Sequence, residues 1–391
     1  MQQTDLFKYH IDGFAQQPFM DLKKIFVKNF ELGLETAGAA FAVYYKDQLV
    51  VDLYGGYADR EQQIPWTKHT MAIILSALSL AMLIDRGYAN YDDYVCKYWP
   101  QFASNGKQNI TIRQITNHQS GLVYGDQTFT IEDVEIPEKM SKKIEKMQPI
   151  WEPGTDCGYH TLTFGFLIDQ IVRRVDEQKR GVVQYLEDEV INKHGLNNIS
   201  IGLRTSEDNK RVAVIYEASK QELLEEGKRN PEALRKFALC DNKHLKRVYE
   251  NWPWVKICDY NNPKIRQLKM PSNMGIGTAR SLAQLHHLIT QGKLLSLNFL
   301  VQISRPQLEN QMDLINCYPE NKGYGWQYFK NPMGYWNFGH SGYGGQNVRI
   351  DLQSNVTYVY MCNGLKAADG DDVEPFSKLQ KKLYECLRTL N

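Results

Sequence analysis

The sequence has no excess of charge of either sign, because 46 Lys and Arg residues stand against 45 Asp and Glu residues. This balance gives no electrostatic reason to expect nucleic acid or an anionic membrane surface as a partner. No apolar segment reaches the roughly 18 residues that a membrane span needs. The N-terminal residues lack a basic stretch followed by an apolar one, so we expect no secretory signal. The expectation is a soluble intracellular protein, cytoplasmic or organellar, with a mitochondrial destination left open.

The sequence also lacks the spacings typical of metal, redox and phosphate sites. Its seven cysteines show no CxxC or CxH pattern, and their odd number excludes complete internal pairing, so reduced thiols are expected. His160, His286 and His287 have no carboxylate or cysteine at ligand spacing, and we interpret them as surface or boundary histidines. The segment "GYGGQ" is not followed by Lys and Ser or Thr, as a phosphate loop requires. We therefore expect no cofactor and no metal.

Both ends of the chain carry strand signals. The segment "AAFAVYYKDQLVVDLYGGYAD" has two apolar runs around a polar turn, which indicates a β-hairpin. Near the other end, "YWNFGHSGYGGQNVRIDLQSNVTYVYMCNG" predicts further strands separated by turns. The final segment "EPFSKLQKKLYECLRTL" has apolar residues at helical spacing and predicts an amphipathic helix.

The middle of the chain favours helices. Helical patterns cover 73–86, 112–117, 163–175, 182–193 and 279–291. The predicted fold class is therefore α/β, of the α+β type: an antiparallel sheet from both chain ends, flanked by helices, with an inserted helical subdomain. We expect one domain over 1–391, with the sheet subdomain at about 20–68 and 292–391 and the helical subdomain at about 69–291. A charged insertion at about 205–260 is interpreted as solvated surface helices, with a partner-docking surface as the alternative.

Five segments, in this order, resemble one known superfamily. They are "GGYADREQQIPW", "LIDRGYANYDDYVCKYWPQFASNGKQNITIRQITNHQSGL", "PGTDCGYHTLTFGFLIDQIVRRVD", "MPSNMGIGTARSLAQL" and "FGHSGYGGQ". The sequence resembles the serine β-lactamase and penicillin-binding-protein-like superfamily, and within it the class C β-lactamase-like esterases and eukaryotic β-lactamase-related proteins. The resemblance runs from about Gly38 to the end of the chain and implies a β-lactamase/transpeptidase-like fold.

The resemblance also implies a set of site residues. In this superfamily a Ser at the start of a buried helix attacks the acyl carbon, and a Lys one turn later assists its deprotonation. A Tyr from a separate segment relays the proton, and a Lys/His-x-Gly motif on an edge strand forms the opposite wall. Here "YHT" supplies Tyr159, and "HSG" supplies His340 with Ser341 and Gly342 as binding residues.

The lysine of the first motif has no counterpart. When the segment is aligned from "PWTKHT", the nucleophile position falls on Ser76 and the lysine position on Ser79. When it is aligned from "LIDRG", these positions fall on Thr70 and Ile73. The two alignments differ because the segment is about six residues shorter than in the superfamily, equivalent to about 9 Å of helix.

Two functional hypotheses follow. Because an unassisted hydroxyl is a poor nucleophile, the first is a catalytically impaired protein that acts as a structural or interaction subunit of a larger protein assembly. Ser76 is then a small residue of a buried helix. The alternative is a serine hydrolase acting on a small acyl substrate, an ester or amide, with Ser76 as nucleophile, Tyr159 as proton relay and His340 in the wall of the site. Neither hypothesis predicts a nucleic acid partner.

Overall fold

The computed structural model describes residues 9–74, 78–239 and 242–390, with only the backbone described for Ile73 and Ile74. The strands are β1 (Ile11–Ala15), β2 (Gly38–Tyr45), β3 (Gln48–Asp59), β4 (Ile64–Pro65), β5 (Ala72–Ile74), β6 (Ile199–Ile201), β7 (Gly275–Gly277), β8 (Leu308–Met312), β9 (Pro319–Gly323), β10 (Trp326–Lys330), β11 (Trp336–Gly342), β12 (Gln346–Asp351) and β13 (Val356–Cys362).

The helices lie mostly between β5 and β8. They are α1 (Asp21–Glu31), α2 (Leu78–Asp85), α3 (Ile112–Thr116), α4 (Ile131–Glu135), α5 (Pro137–Lys146), α6 (Thr163–Val175), α7 (Val182–Leu186), α8 (Lys220–Arg229), α9 (Pro231–Leu239), α10 (Lys243–Asn251), α11 (Pro263–Arg266), α12 (Ala279–Thr290), α13 (Leu297–Gln302) and α14 (Glu374–Arg388). A π-helical turn, Glu187–Ile191, continues α7.

One large antiparallel sheet is built from both ends of the chain. Within the described ranges it has the strand order β1-β3-β2-β13-β12-β11-β10-β9-β8, with β4 paired to β3. The first and last thirds of the chain meet where β2 pairs with β13, with Val43 opposite Tyr358. A smaller sheet, β5-β7-β6, lies in the helical part. The predicted fold class is confirmed by this architecture.

The sheet separates two apolar cores. Alternate residues of β13 point to opposite faces, because side chains alternate along a strand. Tyr358 and Tyr360 lie in the core that contains residues of α1 and α14. Val359 and Met361 lie in the larger core formed with α12 and the helical part. The helical part is thereby held against one face of the sheet, and the candidate site residues lie along this junction.

The apolar segment at 73–86 differs from the prediction. The sequence predicts one helix there, but Ala72–Ile74 form β5, and α2 begins only at Leu78. The difference arises from tertiary contacts. β5 pairs antiparallel with Gly275–Gly277, and the hydrogen bonds between these two strands replace those that a helix would form within its own backbone. Isoleucine is also a β-branched residue that favours strands.

The charged insertion forms three helices, α8, α9 and α10. Two of them contact the start of α14 and the residues just before it: Arg229 pairs with Glu374 at 2.9 Å and Lys236 with Asp372 at 2.6 Å. The proposed limits of the two subdomains stay a prediction. No helix in the described ranges is long and apolar enough to cross a membrane.

Candidate active site

A buried loop positions Tyr159. His118 follows α3 with a positive φ of 59°, so the chain turns sharply there. Its carbonyl accepts the Gly158 N–H at 3.0 Å, and its Nδ1 accepts the His160 N–H at 3.2 Å. The His118 ring lies 5.0 Å from the Tyr159 ring, centroid to centroid. The "NHQSGL" segment therefore supports both sides of Tyr159.

Tyr159 and His340 meet across the junction of sheet and helical part. His340 lies on β11, and its Nε2 is 3.4 Å from the Tyr159 hydroxyl. The other ring nitrogen, Nδ1, is 2.5 Å from the Ser341 carbonyl. Because a carbonyl oxygen can only accept, Nδ1 carries the proton, and Nε2 of the neutral ring presents a lone pair to Tyr159. The Tyr159 hydroxyl is thus the donor in this contact.

Burial keeps both partners neutral near pH 7. Burial lowers the pKa of His340 to about 4, although its hydrogen bond to Ser341 acts in the opposite direction. Burial, followed by the negative charge of Glu320, raises the pKa of the Tyr159 hydroxyl. Tyr159 is therefore a phenol and not a phenolate. Such a group can pass a proton onward, but it cannot serve as the final acceptor.

A narrow cavity opens beside this pair. Its walls include Phe164, Ser272, His286 and Trp326 together with Tyr159 and His340. Among the described residues that line it, none is an Asp, Glu, Lys or Arg. The walls are mostly apolar, so the cavity suits an uncharged acyl group better than an anionic one.

The nucleophile position Ser76 lies outside the described residues. Of the two residues at the position of the missing lysine, Ser79 lies in α2 and is buried, and its Oγ has no hydrogen-bond partner among the described residues. Ile73 lies in β5, opposite Ile276. Thr70, the other candidate for the nucleophile position, accepts the Thr67 N–H at 2.9 Å and so stabilises a local turn. The assignment of Ser76 stays a prediction.

The two predicted binding residues are close to His340 along β11. The Ser341 hydroxyl is buried, donating to Asn347 Oδ1 at 2.9 Å and accepting from Arg349 at 3.1 Å. Its side chain is therefore occupied within the protein. Gly342 is half-buried and lies opposite Gln346. A binding role for this segment stays a prediction.

Three histidines differ from their interpretation as surface or boundary residues, because all three are buried. His160 Nδ1 donates to the Gly158 carbonyl at 2.6 Å, and its Nε2 accepts from Leu122 N–H at 3.1 Å and from Ser120 at 2.8 Å. Both Ser120 and His160 are fully buried, so this Ser-His pair fixes the loop. His286 lines the cavity and donates from Nδ1 to Leu282, whereas His287 contacts Asp47 elsewhere.

Sequence reasoning missed a buried charged cluster under Tyr159. Lys322 on β9 pairs with Asp313 and, at 2.6 Å, with Glu320. Its ammonium lies 5.9 Å from the centre of the Tyr159 ring. One signal was available, because Glu320 and Lys322 stand two residues apart on a short strand and therefore share one face. We refer to Lys322, Asp313 and Glu320 as the buried triad.

Comparisons with known proteins identify the family to which this fold belongs. The sequence model of the Beta-lactamase family matches residues 26–381. A curated relative, Esterase/beta-lactamase LipL of Mycobacterium tuberculosis, is 26% identical over 373 residues, which cover 90% of this chain and 83% of LipL.

Solved structures with the same fold include two that match almost the whole chain. A family VIII carboxylesterase has a TM-score of 0.83 at 24% identity, covering 96% of this chain and 100% of that one. A penicillin-binding protein homologue from Caulobacter crescentus has a TM-score of 0.80 at 26% identity, with the same coverage. At this level of identity, the carboxylesterase is evidence for the fold alone.

These findings contradict the first functional hypothesis. The curated relative is an esterase or β-lactamase, and none of the proteins named above is described as a structural subunit. The interpretation as an impaired structural or interaction subunit is therefore wrong, and the findings favour the alternative of a serine hydrolase. The reasoning failed because it took the missing lysine as decisive without knowing which other groups surround Tyr159. By its family match over residues 26–381 and its β-lactamase-related serine hydrolase fold, the chain belongs to the Beta-lactamase family.

Proposed function

We propose that this protein is a serine hydrolase that cleaves esters or amides of small, uncharged acyl groups, with Ser76 as the nucleophile. The observation that carries the proposal is the contact of the Tyr159 hydroxyl with the unprotonated Nε2 of His340. The relationship to an esterase/β-lactamase supports the same reaction class. The assignment of Ser76 rests on its place in the sequence.

The proposed acylation step moves one proton over two groups. Ser76 Oγ attacks the acyl carbon and gives its proton to the Tyr159 oxygen, while Tyr159 gives its own proton to His340 Nε2. This order follows from the raised pKa of Tyr159 and the lowered pKa of His340, which leave a phenol and a neutral imidazole at pH 7. The proton then returns along the same path to the leaving alcohol or amine, and water releases the acyl group by the reverse sequence.

The cavity walls support a preference among acyl substrates. Phe164, Trp326 and Val348 offer apolar surface, and none of the described lining residues is a cation that would pair with a substrate carboxylate. Esters with short aliphatic acyl chains are therefore the proposed substrates, ahead of β-lactams that carry a carboxylate.

A direct assay compares p-nitrophenyl butyrate with a chromogenic cephalosporin. We expect a higher kcat/KM for the ester, and its loss in Ser76→Ala because the attacking oxygen is gone. Ser79→Ala is the matched control, since it removes a neighbouring hydroxyl of the same kind. The proposal is wrong if the folded protein hydrolyses neither compound, or if Ser76→Ala retains the wild-type rate.

A further inference from the structure

The buried triad places one cation between two carboxylates. Lys322 is 2% exposed and Asp313 is fully buried, whereas the Glu320 side chain keeps 10% exposure. Burial would lower the pKa of Lys322, but the charges of Glu320 and Asp313 raise it, so the ammonium stays charged. Replacing a buried ion pair by apolar residues is often neutral or stabilising, so stability alone is a weak reason for this arrangement. Each carboxylate, however, is connected through hydrogen bonds to a segment that carries a residue of the candidate site.

The first connection runs from Asp313 to Tyr159. The Asp313 carboxylate accepts the N–H groups of Ile315 and Asn316, each at 2.8 Å. Asp313 also pairs in a parallel bridge with Cys157, two residues before Tyr159. Close by, the Leu314 N–H donates to the Cys157 carbonyl at 2.9 Å. The segment that carries Tyr159 is thus fixed to the turn that carries Asp313, whose carboxylate pairs with the Lys322 ammonium.

The second connection runs from Glu320 to the strand that carries His340. Gln327 Nε2 donates to Glu320 Oε1 at 3.2 Å. The other end of the same amide, Oε1, accepts the Ser341 N–H at 2.8 Å. Ser341 follows His340 directly, and its carbonyl receives the His340 Nδ1 proton. Gln327 therefore transmits the position of Glu320 to the residue that sets the tautomer of His340.

We propose that Lys322 is a positioning residue for the hydrolytic reaction. Its ammonium joins Asp313, whose turn is bonded to the segment of Tyr159, with Glu320, which reaches Ser341 through Gln327, and so sets the Tyr159 hydroxyl against His340 Nε2. This inference rests on the proposed function. The lysine touches neither the acyl group nor the transferred proton. Its effect arises because a proton relay needs its donor and acceptor within hydrogen-bond distance.

The test replaces Lys322 by Met and uses Lys107→Met as the matched control. Lys107 is also fully buried, but its ammonium donates to the carbonyls of Ser104, Glu145 and Met147, away from the site. We expect Lys322→Met to lower kcat for p-nitrophenyl butyrate about a hundredfold, with KM changed by less than about threefold. Lys107→Met is expected to keep the wild-type kcat and KM.

A spectroscopic readout does not depend on turnover. The ring ¹⁵N signals of His340, recorded by NMR, report which nitrogen carries the proton. We expect them to move in Lys322→Met and to keep their wild-type positions in Lys107→Met. Unchanged His340 signals in folded Lys322→Met would overturn the inference, even if the wild-type protein proved inactive and the proposed function failed separately.

A second variant covers the case in which Lys322→Met does not fold. Gln327→Leu cuts only the connection between Glu320 and Ser341 and leaves the triad intact. We expect it to move the His340 signals and to lower kcat about tenfold, again with little change in KM. If the signals and kcat both stay at wild-type values in Gln327→Leu, the triad does not position His340.

Discussion

Tyr159 and His340 show how burial can select a mechanism. In water a tyrosine is a weak acid and a histidine is half protonated near pH 6.5. Here burial pushes the two pKa values apart, leaving Tyr159 as the donor and His340 as the acceptor. In the proposed relay the final acceptor is a histidine, so the absence of the superfamily's lysine at Ser79 or Ile73 leaves one unprotonated ring nitrogen beside Tyr159.

The fall in rate on the acidic side of the pH-rate profile should report the protonation of His340. Because only unprotonated Nε2 can accept a proton, kcat/KM should fall as the pH drops through about 4. An exposed histidine would place this fall near 6.5 instead. The measurement is kcat/KM for p-nitrophenyl butyrate against pH, with tryptophan fluorescence to verify that the protein stays folded. A folded protein whose kcat/KM does not fall as the pH drops through about 4 would contradict the assignment.

Substitution of the same residue provides the second half of this test. His340→Gln keeps a polar side chain but cannot take the proton, so kcat should fall by about a hundredfold or more. His287→Gln is the control, because His287 is also buried but contacts Asp47 and does not line the cavity. Equal rates for His340→Gln and the wild type would exclude His340 from the relay.

At this scale the sequence named some residues of the candidate site and missed others. Tyr159 and His340 stand in short motifs, so they could be named without a structure. Lys322, Asp313 and Gln327 carry no motif, and their roles depend on contacts between neighbouring strands and loops. Gln327, for example, hydrogen-bonds Ser341, which lies on the neighbouring strand. Such roles can be recognised only when the pairing of the strands is known.

At the scale of elements, β11 must lie close to β12 to hold His340 in place. A Cβ atom on Gly339 would be 2.0 Å from the Val348 carbonyl oxygen, so no larger residue fits unless the strands separate. Gly339 precedes His340 directly and pairs with Arg349. Glycine is thus required at Gly339, the first glycine of "FGHSG", because the sheet leaves no room there for a Cβ atom.

Gly339→Ala should therefore reduce both stability and activity. We expect the free energy of unfolding to fall by about 1–3 kcal/mol, since the added methyl group has no room, and kcat to fall because His340 shifts with its strand. Urea unfolding and ester hydrolysis measure the two effects. Gly227→Ala in α8 is the control, because its Cβ meets only the flexible end of Leu234 and alanine favours a helix. A Gly339→Ala protein that matches the wild type in both measurements would refute this account of β11.

Local patterns predicted some elements better than others. The helix predicted at 163–175 is α6, because its apolar residues repeat at helical spacing and tertiary contacts agree with that pattern. The helix predicted from Ile73 starts five residues later, since β5 pairs with β7 some 200 residues away in sequence. A short apolar segment is compatible with a strand or with a buried helix, and its packing partner in the folded protein decides which one forms.

At the scale of the whole molecule, the site exists only when distant segments meet. Tyr159 and His340 are separated by 181 positions, one in the helical part and one on the sheet. The sheet itself joins the first and last parts of the chain through β2 and β13. The order of the five family segments predicted this arrangement, but it did not predict the polar connections that set distances within the site.

The most direct test of the account is to react the intact protein with a fluorophosphonate and map the modified residue by mass spectrometry. The serine oxygen displaces fluoride from phosphorus, so an active hydrolase gains one phosphonyl group per chain. We predict a single adduct on Ser76, lost in Ser76→Ala, retained in Ser79→Ala and formed more slowly in Tyr159→Phe. A folded protein that gains no adduct, or gains it at a serine other than Ser76, would contradict the central claim.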